Sequence, residues 1–306
     1  MIELSIIIVN WNTSKLLKNC LYSVFETIKR TKFEIYVVDN NSSDNSAAMV
    51  KKEFKGVNLI INKENVGFAR ANNQSIKLSK GEFVMVLNPD TILLPNAVDG
   101  MVDFLKSHKN IGAIGPKILQ ADGKVSNVGA RRFPNLLFEF FNITSLNRQF
   151  PKSKLFGKYW MSFWDHNDLR QVECLTGACM IVRKKAIDNV GLLDENFFMY
   201  SEDIDWCYRI KKGGWDIYYY PEAEIMHLNG QSSKQKPIKS ELEYYRSKYK
   251  YFKKHKGYLY SLFYRVMVSL IMLPKCIYNF LLLATKRDNS TQIKLRLKCY
   301  EKIIFM

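Results

Sequence analysis

The chain of 306 residues is 47% hydrophobic with a formal charge of +17, enough apolar material to bury a full core in one domain of about 230 residues with an appendage. Its six cysteines (20, 174, 179, 207, 276 and 299) include no CxxC pair, which speaks against a zinc site or disulfide framework and for reduced thiols. Gly-x-Gly-x-x-Gly and the phosphate-loop lysine motif are missing, against a nicotinamide dehydrogenase or an ATPase, and Met1-Ile2-Glu3 runs into the first strand without signal-peptide features, so a cytosolic chain is expected.

Apolar, β-branched runs at residues 4–9, 34–38, 57–61 and 82–87 alternate with helical patterns near 14–28, 44–54 and 68–80. Alternating β and α implies a parallel sheet with right-handed crossovers. Asn10-Trp11-Asn12, Asp39-Asn40-Asn41 and Asn65-Val66-Gly67 then fall at strand ends or in the loops after them, on one edge, and the fourth strand runs into Asn88-Pro89-Asp90-Thr91. Ligands bind at the carboxyl ends of strands in open α/β sheets. These loops are therefore candidates for reading a nucleotide base and ribose, and Asp90 is a carboxylate at the mouth of the crevice. Polar residues follow any strand, so the weight lies in four loops converging on one edge.

Further along, residues 131–171, with Arg131-Arg132, several Phe, Trp160 and Trp164, are expected to shape an acceptor side. FFMYSEDIDWCYR (197–209) then packs Glu202, Asp203 and Asp205 into four residues. Residues three and four apart share a helix face, so Asp205 pairs with Arg209 while Asp203 points away and stays free as a candidate base. The alternative is that Ser201 caps a helix whose first turn carries acids because the macrodipole favours them. A last core strand is expected at 215–220, with His227 after it.

The tail is basic. Residues 229–306 hold 17 Lys and Arg against 4 Asp and Glu, +13 of the total charge. Its interleaved tyrosines suit nucleic acid or an anionic membrane. Residues 258–285 decide for the membrane: they are largely apolar, but Arg265 and Pro274-Lys275 break them into pieces shorter than the roughly 20 residues of a span. A peripheral interfacial helix pair is preferred; a tilted or re-entrant span and simple packing on the body stay open.

Together, SIIIVNWN (5–12), VVDNNSSD (37–44), NVGFARANN (65–73), LNPDT (87–91), LTGACMIVRKKA (175–186), GLLDENFFMYSEDIDWCYRIKKGGW (191–215) and His227 resemble the family 2 glycosyltransferases of GT-A fold, in their rhamnosyltransferase-like branch. The resemblance implies an α/β Rossmann-like, mostly parallel sheet flanked by helices. It also implies a catalytic domain over 1–230, with a nucleotide-sugar-binding half at 1–115 and an acceptor half at 116–230, followed by a basic amphipathic helical extension at 231–306. It implies inverting transfer from a nucleotide sugar, with Asn10, Asn12, Asp39, Asn41, Gly67, Arg70, Asn88 and Asp90 on the donor, Asp39 meeting the base N–H. Asp203 and Glu202 are then catalytic, Thr176 and Gly177 form the loop between donor and acceptor, and Asp90 with His227 holds a divalent cation, Mg²⁺ or Mn²⁺. Asn88 stands where the family's metal motif has its first acid, and His227 is otherwise a hydrogen-bonded core residue. The donor implied is dTDP-rhamnose, with UDP-hexose, UDP-galactofuranose or a non-catalytic nucleotide-sugar-binding protein as alternatives. The acceptor is a glycan hydroxyl, lipid-linked, at the cytoplasmic face of a membrane, with no nucleic acid partner.

Overall fold

The structure, a computed structural model, describes residues 1–228, 235–284 and 291–305. Strands β1 (Leu4–Asn10), β2 (Phe33–Asp39), β3 (Val57–Ile61) and β4 (Phe83–Leu87) alternate with helices α1 (Ser14–Thr27), α2 (Ser46–Glu53) and α3 (Phe68–Ile76). They lie in the order β3-β2-β1-β4 and run parallel, as the sequence pattern requires. Their apolar runs are nearly continuous because both faces are covered. Leu4, Ile6, Ile8 and Met85 join Leu21 of α1 in one core, and the intervening Ile7, Val84 and Val86 belong to a second core on the opposite face.

The chain continues through β5 (Thr91–Leu93), α4 (Ala97–Ser107), β6 (Ile111–Leu119), β7 (Ala130–Arg131), α5 (Leu136–Ile143), α6 (Leu146–Gln149), β8 (Arg170–Gln171), β9 (Cys174–Leu175), β10 (Cys179–Arg183) and α7 (Lys184–Val190). After these come α8 (Glu202–Lys212), β11 (Asp216–His227), α9 (Pro237–Lys256), α10 (Tyr258–Ala284) and α11 (Thr291–Ile304). Beyond β4 the sheet becomes mixed: β10 inserts antiparallel between β4 and β6, and β11 runs parallel to β6 and antiparallel to β5. This inversion matters for the site. Because β10 runs backwards, its first residue, Cys179, lies opposite Leu87, the last of β4, so Gly177 reaches the edge where the parallel strands end. Likewise His227 lies opposite Thr91, next to Asp90.

Two expectations need correction. The last core strand does not stop at Tyr220: the register shifts between Tyr220 and Glu224, a bulge that absorbs Pro221 and its missing donor, so β11 runs on and ends with His227 itself. Nor do Arg265 and Pro274 break the apolar segment. Residues 258–284 form one helix with Pro274 inside it, so a pair of short helices is ruled out there; Thr285 lies outside the described residues. One face of α10 explains the continuity. Ser261, Tyr264, Val268 and Met272, spaced by three and four residues, are buried on the body, and packing of that stripe outweighs the helix bond that a proline removes.

Helix α9 is built into the body too. Tyr251 and Phe252 are fully buried, in the same core as Val84. At its C-terminal end, Lys254 and His255 Nε2 both reach Asp205 Oδ1 at 2.7 Å while Arg209 takes Oδ2 at 2.9 Å. Mid-helix, Lys248 forms an ion pair with Glu139 of α5 at 3.0 Å, both side chains almost completely buried.

Candidate active site

The carboxyl edge of β1, β2 and β4, the loop before β10, the end of β11 and the start of α8 enclose a cavity of about 680 Å³. Asn12, Asn41, Gly67, Asn88, Asp90, Thr176, Gly177, Glu202, Asp203 and His227 all line it. Asn10, Asp39 and Arg70, also expected on the donor, do not. Asn10 and Asp39 sit behind the wall: the Asn10 amide donates to Asp39 Oδ1 at 3.1 Å and the Ser42 N–H to Oδ2 at 2.9 Å, which fixes the loop after β2. Arg70 is half exposed and pairs with Glu195 at 3.1 Å. Gly67 is needed for its shape. Its φ is +87°, and a Cβ there would stand 2.6 Å from the carbonyl oxygen of Phe198.

Helix α8 enters the cavity through Tyr200 and Ser201, two consecutive residues in the left-handed region. Such a conformation costs of order 1 kcal/mol or more per residue and persists where the surroundings enforce it. It makes no cap, since the Ser201 side chain bonds no backbone N–H; what it does is turn Glu202 and Asp203 toward the cavity. Asp205 pairs with Arg209, as the helical spacing predicts. Asp203 does avoid Arg209, but it is not free. Its Oδ2 accepts from Arg131 at 2.5 Å and from the Gly177 N–H at 3.1 Å, while Oδ1 accepts only the N–H of Ile204 at 2.8 Å. The helical spacing left out a partner 72 residues away, delivered by β7.

Electrostatics separate the two neighbouring acids. Burial, and then the adjacent Asp203 carboxylate, push the Glu202 carboxyl up to about 8. Its Oε2 has no hydrogen-bond partner among the described residues. Burial opposes the charge of Arg131, but Asp203 outweighs it and holds the guanidinium well above its ordinary value. One acid is thus protonated at neutral pH and the other is held in a charge-assisted pair.

Asp90 Oδ1 and His227 Nε2 stand 3.1 Å apart, and the Asn88 amide nitrogen is 3.5 Å from the same imidazole nitrogen. Three side chains with O and N donors therefore converge on one spot of the wall. Among the described residues no group of three His, Cys, Asp or Glu assembles. The set suits a divalent cation that draws its other ligands from a bound substrate.

Several lining residues come from the segment read as a tail: Lys236, Lys239, Tyr244 and Lys248. With Ser240 and Glu243, which also line the cavity, their positions repeat at the three- and four-residue spacing of one helix face, and that polar face was the signal available in the sequence. The nearby Arg131, Tyr159 and Trp160 also line the cavity, within the segment expected to shape the acceptor side.

The family profile of Glycosyl transferase family 2 matches residues 5–191. The chain is 30% identical over 226 residues to N-acetylglucosaminyl-diphospho-decaprenol L-rhamnosyltransferase of Mycobacterium tuberculosis, covering 70% of this chain and 73% of that protein. It is 29% identical to the low-salt glycan biosynthesis hexosyltransferase Agl10 of Haloferax volcanii, covering 74% and 67%. Among solved structures, mannosyltransferase PcManGT of Pyrobaculum calidifontis, in complex with GDP-Man and Mn²⁺, superposes with a TM-score of 0.58 at 12% identity over 99% of this chain and 85% of that one. GalNAc-T7 with UDP, GalNAc and Mn²⁺ gives 0.56 at 16% identity, over 74% of this chain and 43% of that one. These likenesses establish the GT-A fold.

Proposed function

Because the chain belongs to glycosyl transferase family 2, we propose that it moves a sugar, L-rhamnose from dTDP-rhamnose, onto a hydroxyl of a lipid-linked glycan at the cytoplasmic face of a membrane, with inversion. The observation that carries this reading is Asp203, a carboxylate on the cavity wall between the strand-end loops and the Arg131–Trp160 side. The acceptor hydroxyl oxygen attacks the anomeric carbon, the bond to the diphosphate breaks with its electron pair on the leaving oxygen, and the hydroxyl proton passes to Asp203. Arg131 and the Gly177 N–H engage Oδ2, so Oδ1 is the oxygen that takes the proton. Glu202, protonated at neutral pH, donates a hydrogen bond to a sugar hydroxyl. Asp90, His227 and Asn88 would hold a divalent cation, whose chemistry is neutralisation of the diphosphate as a Lewis acid. Rhamnose and the lipid carrier are favoured by the rhamnosyltransferase of M. tuberculosis, whose name gives a diphospho-decaprenol acceptor.

The test is a panel of nucleotide sugars scored for transfer and for hydrolysis without acceptor. dTDP-rhamnose should lead. Asp203→Asn should cut turnover by about 10² to 10⁴ while donor affinity stays near wild type. Turnover above about a tenth of wild type in that variant would remove Asp203 from the role of base, and preference for a UDP-sugar would reassign the donor.

A further inference from the structure

We propose that Lys236 and Lys239, at the start of α9, form the cation site for the diphosphate of the donor; this rests on the nucleotide-sugar reading above. Four basic side chains line the cavity. Arg131 is matched by Asp203 and Lys248 by Glu139. Lys236 and Lys239 pair with no carboxylate among the described residues; each instead lies over an aromatic ring of the cavity wall, the Lys236 Nζ 4.9 Å from the centroid of Trp11 in the loop after β1 and the Lys239 Nζ 4.6 Å from that of Phe198 in the segment before α8. Both rings belong to the nucleotide end. Trp11 follows β1 directly, and the Phe198 carbonyl accepts the N–H of Phe68, the first residue of α3. The segment is also tied down there, because the Gln235 side chain donates to the Asn12 carbonyl at 2.9 Å.

The charge balance of the site needs these lysines. With Asn88 in place of an acid, the Asp90–His227 pair supplies one carboxylate for a cation, so any metal there is bound weakly until diphosphate oxygens complete its shell. A leaving diphosphate carries several negative charges, and Arg70, the other basic residue expected on the donor, is outside the cavity lining and already paired with Glu195. An ammonium resting on an aromatic face is held loosely and loses little by turning to a phosphate oxygen, which forms the stronger, charge-assisted bond. The lysines would meet the diphosphate as charge builds on it and stabilise it electrostatically with or without metal.

The experiment compares, in excess EDTA, the affinities of full-length protein for dTDP and dTMP, and for UDP and UMP, by calorimetry. Wild type should favour the diphosphate over the monophosphate by about tenfold or more. In Lys236→Gln/Lys239→Gln that margin should collapse toward unity with monophosphate affinity unchanged, and Lys236→Arg/Lys239→Arg should keep it. Both side chains are exposed, so the variants fold. An undiminished margin in the glutamine variant, or no margin in wild type, overturns the assignment. A wild type that binds neither monophosphate nor diphosphate, with or without Mn²⁺, overturns the nucleotide-sugar reading and the lysine site with it.

Discussion

Glu202 and Asp203 are consecutive carboxylates on the first turn of α8, and their environments drive them to different protonation states. An ordinary glutamate titrates near 4.5, whereas Glu202 in the folded protein is pushed up to about 8 by burial and then by Asp203. Between those values the native state holds a proton that the unfolded chain has lost, so this residue makes stability fall as pH rises from about 4.5 to about 8. Glu202→Gln, which stays neutral, should flatten that slope: thermal melts at pH 5, 6.5 and 8 should show the wild type losing a few degrees more than the variant. Parallel slopes would mean that Glu202 ionises normally. At this scale the sequence was a partial guide. The crowding of Glu202, Asp203 and Asp205 pointed to a site, and the i,i+4 rule assigned Asp205 to Arg209. Local spacing has no access to Arg131, which reaches Asp203 through tertiary structure, nor to the burial that sets Glu202 apart.

Helices α8 and α9 meet at Asp205, a fully buried carboxylate that receives Arg209 from its own helix and Lys254 and His255 from the other. Burial raises its carboxyl, but the His255 and Arg209 interactions prevail and bring it down to about 2. The stability it contributes is present above the ordinary carboxylate value near 3.8 and is lost as pH falls toward about 2. Asp205→Asn should destabilise the protein by about 1.5 to 3 kcal/mol, since it removes the buried charge on which Arg209, Lys254 and His255 converge, and denaturant melts should show it. A loss below 1 kcal/mol would make the cluster an incidental contact. At the scale of elements, the parallel strands and their helices were legible because their patterns are local and both sheet faces are covered. The continuity of α10 was not, because Pro274 is a breaker by propensity and only the buried stripe of Tyr264, Val268 and Met272 overrides it.

Across the whole molecule the opposite face of α10 is apolar and bare: Leu259, Phe263, Val266, Leu270 and Ile277 are exposed, and so are Leu137 and Phe140 of the adjoining α5. By length and composition, residues Tyr258–Leu283 suffice to cross a bilayer, but a helix buried along one face and apolar along the other is suited to lying in a membrane interface. The protein should therefore sediment with anionic vesicles, less completely at high salt because each nearby basic residue adds on the order of 1 kcal/mol. Phe263→Ser/Leu270→Ser/Ile277→Ser should release it while the melting temperature holds, and vesicle binding unchanged by that triple variant would move the contact elsewhere. The basic tail was legible as charge, but the count could not show that part of it, Lys248 above all, points inward. That residue carries a consequence for descent. Glu139 and Lys248 lie 109 positions apart in the chain yet form one buried, neutral unit, so losing either alone strands a charge in the core. Lineages that abandon the pair should do so at both positions together, most readily for two apolar residues, and the two columns should change in step while each looks unremarkable by itself.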